Sequence, residues 1–438
     1  MFQRKKNSTK KILAVNPWVT DFAFYDLWFK PIGLLYIATI LKKNGYHINY
    51  IDLIQNYTGK RKYGKGKIVH TEIEKPDAIN YFNRKYFRYG IKKEDFEKYL
   101  NTIEEPDFVI MTSFMTYWYP GIIHTARVLK SRFPNVPIIL GGIYATLLTD
   151  HAKSLPFIDY VIPGNDFNEI IGKISEIFNE NIDYEIKGFD DLPIIDYSFY
   201  SRLDSITTIN SIGCPFKCPY CAASILYSEM LYKSLYYVER EFNEFGRFDI
   251  RDVAFYDDAF LMHPQIGDIL KLLANYKFRF HLPNGIHARF VTKDMANLLY
   301  SAEFTTIRLG YEVYDSDIQK RFGGKVNNDT IIKAISNLES AGYEPWKIGV
   351  YVLGGHPLIS VKTLEEGIKF LADLGVRIYI SEYSPVPKTP EGRLYYDETK
   401  EDPLLTNNSL RRFIKEEEID QYKNLKNFVR KHNGEIAG

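Results

Sequence analysis

The sequence predicts an α/β protein of two successive modules: a doubly wound parallel sheet of the Rossmann or flavodoxin-like kind, then a partial (β/α)6 TIM-type barrel. Three observations predict it. Short apolar, β-branched runs alternate with amphipathic stretches over residues 11–178. The alternation stops at a polar, proline-containing segment, KGFDDLPIIDYSFY at 187–200, and resumes for six units up to about residue 397. All three cysteines of the chain, Cys214, Cys218 and Cys221, fall in the loop after the first strand of that second series. The expected boundaries are 1–186 for the first module with an insertion at about 55–100, 187–200 for the connection, 201–399 for the second module, and 400–438 for a charged helical tail.

In order, KILAVN (Lys11–Asn16) has the pattern of a buried strand and stops at Pro17. PIGLLYIATILKKN (Pro31–Asn44) is an amphipathic helix with proline at its start and Gly45 at its end. Strands follow at His47–Ile54, Phe108–Ser113, Val136–Leu140 and Tyr160–Ile162, with helices near Tyr119–Arg132, Asp150 and Asn168–Phe178. In doubly wound sheets ligands bind at the carboxyl ends of the strands. Here those ends are the loops at Asn16–Phe29, Thr112–Pro120, Gly141–Thr146 and Pro163–Asp166. Strands of the second module are expected at Ser205–Ile212, Asp252–Tyr256, Phe278–Pro283, Thr305–Leu309, Lys347–Leu353 and Arg377–Tyr383. A helix is expected over Ser409–Lys431, its polar faces solvated and without chemistry.

At 438 residues the chain is long enough for two or three domains. Its 56 Lys and Arg against 55 Asp and Glu leave a net charge of +1, so composition points to neither nucleic acid nor a membrane surface. No apolar run reaches the length of a membrane span, and the basic start MFQRKKNSTKK lacks a signal-peptide core. Cytoplasmic location is expected. The insertion at 55–100 carries twelve Lys and Arg against six Asp and Glu, interleaved with aromatic residues. An RNA-binding face would have this composition. A surface insertion packed over the mouth of the active site is the preferred account.

The chemistry concentrates in TTINSIGCPFKCPYCAAS (Thr207–Ser224). Three thiolates spaced C-x3-C-x2-C can hold a cuboidal iron–sulfur cluster and leave one of its four irons without a protein ligand. A zinc knuckle with histidine as fourth ligand is the main alternative. Zinc sites usually pair two C-x2-C type hooks, and no histidine lies within forty residues after Cys221. Core thiols would not cluster in this way.

The spacing, with the aromatic Tyr220 just before the last cysteine, resembles the motif of the radical S-adenosylmethionine (radical SAM) superfamily. The resemblance implies a 4Fe-4S cluster on Cys214, Cys218 and Cys221, with the amine and carboxylate of the methionine moiety of SAM chelating the open iron. It implies electron transfer to the sulfonium, release of a 5′-deoxyadenosyl radical, and an electron donor such as flavodoxin or ferredoxin. Later segments resemble the family in the same order. FYDDAF places Asp257 and Asp258 where the family contacts the SAM amino group, although a carboxylate there also caps helices. RLGYEV places Glu312 in a G-x-E segment, and NGIHARF places Arg289 after the third strand. GVYVLGGHP, with Gly354 and Gly355, resembles the strand whose backbone flanks adenine, although a strand-end turn also uses glycine. PVPKTP (Pro385–Pro390) resembles the loop after the last strand.

The first module resembles the cobalamin-binding domain that precedes the radical domain in one subgroup. KPIGLLYIATILKKNGY, SFMTYWYPGIIHTARVLKSRFPNVPIILGGIYAT and DYVIPGN carry the likeness, over most of residues 11–178. The loop after the first strand lacks Asp-x-His-x-x-Gly, which supplies the lower axial histidine to cobalt in many cobalamin proteins. His47 and His124 are expected to be ordinary structural histidines. Tyr117 and Trp118, with Tyr119, would cover the lower face of a corrin or pack between domains. Gly141 and Gly142 would admit a ligand to the backbone or form a plain turn.

The function expected from the resemblance is cobalamin-dependent methylation of an unactivated carbon or phosphorus centre in a small-molecule or peptide substrate. Two other readings stand beside it. One is a radical rearrangement, cyclisation or dehydrogenation without working cobalamin. The other is a non-catalytic cluster or electron-transfer protein, which three ligands rather than four disfavour.

Overall fold

The computed structural model describes residues 10–55, 57–62 and 65–437. The basic start at residues 1–9 lies outside them. The chain divides into two compact units, residues 1–203 with 398–405, and residues 204–397 with 406–438.

The sheet of the first unit is parallel, with strands in the order Tyr160–Val161, Ile138–Leu140, Phe108–Met111, Lys11–Asn16, His47–Asp52. Chain order reverses at Lys11–Asn16, whose neighbours are His47–Asp52 and Phe108–Met111. The switch-point crevice therefore opens at Asn16 and at Thr112–Ser113. Residues 12–16 are all buried, as the continuous apolar run requires of a parallel strand covered on both faces. Helices Ile32–Lys43, Tyr119–Arg132 and Phe167–Phe178 follow the predicted positions closely.

The insertion builds a small antiparallel sheet in which Tyr86–Tyr89 lies between Val19–Asp21 and His70–Ile73. Several of its aromatic residues face inward rather than outward. Val19, Ile54, Ile68 and Tyr89 form a cluster, with Phe24, Phe29, Phe87 and Trp118 packed on it. Arg88 lies 4.4 Å above the Trp18 ring, so one of the basic residues is spent on an internal cation–π contact. The connection at 187–200 packs as part of this unit: Leu192, Ile195, Tyr197 and Tyr200 are buried, and the Tyr200 hydroxyl donates to Asp52 at 2.9 Å.

In the second unit six strands pair in parallel and in chain order: Ser205–Thr208, Asp252–Phe255, Arg279–His281, Phe304–Glu312, Ile348–Gly354 and Arg377–Glu382. That is an open (β/α)6 barrel. The third strand is shorter than expected, and the chain re-enters the sheet at Ile286–His287 against Leu309 and Gly310. A fully buried ion pair, Lys233 Nζ to Glu241 at 2.7 Å, joined by Thr208 Oγ1 at 2.9 Å, ties helix Leu235–Phe245 to the first strand.

The tail differs from the expected single helix. It makes short turns at Asn408–Leu410 and Glu416–Glu418 before the helix Ile419–Glu435. Asn407 caps the first turn, and Arg411 in the left-handed region (φ 51°) ends it. The tail also has a structural task. Asn433 accepts from Ile378 N at 2.9 Å and donates to Ile378 O at 2.8 Å, so one amide side chain stands in for a neighbouring strand at the open edge. Arg411 and Lys426 both pair with Glu382 at 2.8 Å. Among the described residues no helix is long and apolar enough to cross a membrane.

Candidate functional site

The cysteine loop leaves the barrel through a two-residue strand, Ser211–Ile212, paired antiparallel with Leu231–Tyr232. Gly213 follows at φ 90°, and a Cβ there would lie 2.7 Å from the Glu229 carbonyl oxygen, so only glycine makes this turn without displacement. Four contacts fix the loop. The buried Asp257 carboxylate accepts from Asn210 N at 2.9 Å and from Ser211 N and Oγ at 2.7 and 2.8 Å. Phe216 packs on His287 with ring centroids 4.3 Å apart. Glu391 N donates to the Pro219 carbonyl at 3.1 Å, and the Glu391 side chain holds the buried His356 at 2.9 Å. Tyr220 packs edge-on against Phe322.

Cys218 is buried, Cys214 intermediate and Cys221 exposed. Cys221 touches solvent, yet its surroundings are dense enough that burial, joined by the charge of Asp258, pushes its thiol up to about 11. Burial also raises Cys214. A bound metal reverses this balance, because coordination deprotonates a thiol outright. Among the described residues no group of three or more His, Cys, Asp or Glu side chains is gathered to hold a single metal ion. The fit to a cluster therefore rests on three thiols sharing one anchored loop, and on the Tyr220 hydroxyl, a buried polar atom without a hydrogen-bond partner beside them. Burial, and then Glu312 and Cys218, hold that phenol well above its usual range.

The two aspartates of FYDDAF have separate positions. Asp257 is occupied by the loop backbone as described. Burial raises it to about 6 and outweighs the hydrogen bonds that pull it down. Asp258 has solvent access, acts electrostatically on Cys214 and Cys221, and is pushed up to about 6 by its surroundings. Of the pair, Asp258 is the one whose charge raises the Cys214 and Cys221 thiols.

Glu312 ends the fourth strand beside an irregularity in register, at φ 72°, a conformation rare outside glycine. It pairs with Lys325 at 3.0 Å, both side chains nearly buried. Lys325 Nζ also lies 5.6 Å above the Tyr220 ring. Arg289 donates to the Gly324 carbonyl at 2.9 Å and so holds the glycine pair ahead of Lys325. Nothing in the sequence points directly to Lys325; a lone lysine after Gly323-Gly324 looks like any loop cation. Gly354 is closely packed, since a Cβ there would meet Ile380 and Tyr422 at 2.6 Å, and Gly355 (φ 70°) makes the strand-end turn.

In the first unit, Gly142 (φ 96°) faces the Ser113 backbone, where a Cβ would lie 2.4 Å from the carbonyl oxygen, so packing alone requires glycine there. Gly141 has only an ordinary contact, at 3.5 Å. Tyr117 is buried, and Trp118 donates to Asp21 at 2.7 Å within the Val19 cluster. His47 begins its strand, exposed, while His124 in its helix is lowered to about 4 by burial, Arg88 and Arg127. The loops at the carboxyl ends leave two large apolar side chains exposed, Tyr25 at 83 % and Met115 at 49 %.

Comparison with known proteins gives one family match in each of the two units. Residues 210–371 match the Radical SAM superfamily. This stretch belongs to the radical SAM superfamily. Residues 26–169 match the B12 binding domain, so that match precedes the radical SAM match along the chain. An uncharacterized methyltransferase of Pyrococcus horikoshii is 22 % identical over 74 % of this chain and 75 % of its own. The hopanoid C-3 methylase of Methylococcus capsulatus is 23 % identical over 76 % of this chain, which spans 63 % of that enzyme. The fold is similar to that of the radical SAM methyltransferase TsrM from Kitasatospora setae, solved with cobalamin and a [4Fe-4S] cluster bound. The TM-score is 0.63 at 13 % identity, over 88 % of this chain and 74 % of that one.

Proposed function

We propose that this radical SAM enzyme is a cobalamin-dependent methyltransferase acting on an unactivated carbon or phosphorus centre of a small molecule or peptide. The observation that carries the reading is the order of parts on one chain. A B12 binding domain match at 26–169 precedes a barrel whose cysteine loop is anchored at both ends, and both named relatives are methyl-transferring proteins. When bound, the cluster supplies single electrons to SAM, and cobalamin supplies a methyl group.

The chain's own residues have definable parts. Cys214, Cys218 and Cys221 would hold the cluster. Asp258, which has solvent access, would accept from an ammonium group. Asp257, Glu391 and Phe216 hold the loop in one conformation, so that its ligands need not be ordered at the moment of binding. Tyr220 and Phe322 put apolar surface over the cysteines and keep water from one side of them. Tyr117, Trp118, Gly141 and Gly142 line or support the carboxyl-end crevice of the first unit, with Tyr25 and Met115 as its open apolar surface. A reducing cytoplasmic setting and a flavodoxin- or ferredoxin-type donor suit such a site.

A second reading, radical chemistry without working cobalamin, is favoured by one specific observation. Packing within the first unit already accounts for Gly142, Tyr117 and Trp118. Anaerobic purification with hydroxocobalamin supplied separates the two. A corrinoid absorption spectrum with stoichiometric cobalt is expected, and protein free of both would leave the second reading.

A further inference from the structure

Lys325 is the nearly buried cation beside the cysteine loop, and it is held from three sides. Its Nζ sits 3.0 Å from Glu312 and 5.6 Å above the ring of Tyr220, the residue next to Cys221. Arg289 fixes the carbonyl of the preceding residue, Gly324. Glu312 occupies a backbone conformation (φ 72°) that is rare and strained for a non-glycine residue. The fold keeps that strain at the position that meets Lys325. An ion pair for stability alone has no need of it, and the desolvation of a largely buried pair offsets much of its attraction in any case.

We propose that Lys325 and Glu312 form a charge pair that sets the reduction potential of the iron–sulfur cluster carried by Cys214, Cys218 and Cys221, with Lys325 the raising member and Glu312 the lowering one. This rests on the reading of the cysteine loop as a cluster site. The step concerned is the uptake of one electron from an external low-potential donor, with no bond made or broken. It adds one negative charge to the thiolate-bound site. A fixed cation in a partly dry setting favours the more negative state, and a fixed anion opposes it. Burial opposes a charged Lys325, and the Glu312 carboxylate 3.0 Å away is the main group that holds its ammonium charged against it.

The test is a redox titration of the reconstituted full-length protein, followed by electron paramagnetic resonance without SAM, on wild type, Lys325→Met, Lys325→Arg and Glu312→Gln. At a fixed applied potential, Lys325→Met is expected to lower the reduced-to-oxidised ratio about tenfold. For a one-electron couple that is a shift of about 59 mV to more negative potential. Lys325→Arg should restore most of it, and Glu312→Gln should shift the couple the opposite way. A merely structural pair would not reverse sign between its two members. If Lys325→Met takes up no iron, Glu312→Gln decides alone: a rise in potential supports the proposal, and an unchanged or lowered one overturns it. Equal potentials in all four iron-loaded proteins overturn it while leaving the cluster in place. Wild type that binds no iron overturns instead the reading of the cysteine loop.

Discussion

Removing the Asp257 carboxylate should loosen the cysteine loop by an amount that depends on pH. In Asp257→Ala the backbone N–H groups of Asn210 and Ser211 lose their acceptor at a buried position, at about 2 kcal/mol each or about 4 in all. Against this stands relief from burying a charge. Asp257 has its folded pKa raised from 3.8 to about 6, so the folded state holds the proton more tightly than the unfolded one. Wild-type stability from this group therefore falls as pH rises through that window. The cost is about 1.7 kcal/mol at pH 5 and reaches about 3 kcal/mol by pH 8. The variant escapes that cost. Its net loss is about 2 kcal/mol at pH 5 and about 1 kcal/mol at pH 8, or some 6 °C and 3 °C in the melting of the unit that carries the barrel. Scanning calorimetry of both proteins at the two pH values measures this directly. Equal losses at both, or a larger loss at pH 8, would refute the balance of orphaned donors against a buried charge.

Other outcomes follow from the same structure. Gly213→Ala forces a side chain to φ 90° and to within 2.7 Å of the Glu229 carbonyl. It should cost at least about 2 kcal/mol, and iron uptake on reconstitution should drop with it. Asn433→Ala leaves Ile378 N and O without their partner. A loss of about 1–2 kcal/mol is expected, with faster amide exchange confined to Arg377–Glu382. His124, lowered to about 4 in the folded state, refuses a proton that the unfolded chain accepts at 6.5. Stability should fall as pH drops from 6.5 toward 4, by about 1–2 kcal/mol after allowance for partial solvent access, and His124→Gln should flatten that slope in urea titrations.

Strand placement was legible because parallel strands buried on both faces need unbroken apolar runs; Lys11–Asn16 and Ile348–Gly354 are such runs and lie where they were expected. The cysteine motif was legible for a different reason, since a short spacing along one loop survives without knowledge of the fold. What sequence could not supply was the use of side chains across distance. Asp257 and Asp258 are neighbours with the same chemistry, and only the folded chain separates them, one taken up by the loop backbone and the other left with solvent access. Lys325 lies more than a hundred residues from Cys221 in sequence, and its position depends on the irregular end of the strand at Glu312. The tail misled because charge density marks solvent exposure in general, whereas Lys426 and Arg411 spend theirs on a single carboxylate, Glu382.

The most direct measurement is product analysis after anaerobic incubation of iron-loaded protein with SAM and dithionite. Stoichiometric 5′-deoxyadenosine is expected from wild type, and none from Cys214→Ala, Cys218→Ala or Cys221→Ala. Protein that carries its full iron and sulfide yet leaves SAM intact would contradict the claim that these cysteines hold a cluster with one position open to SAM.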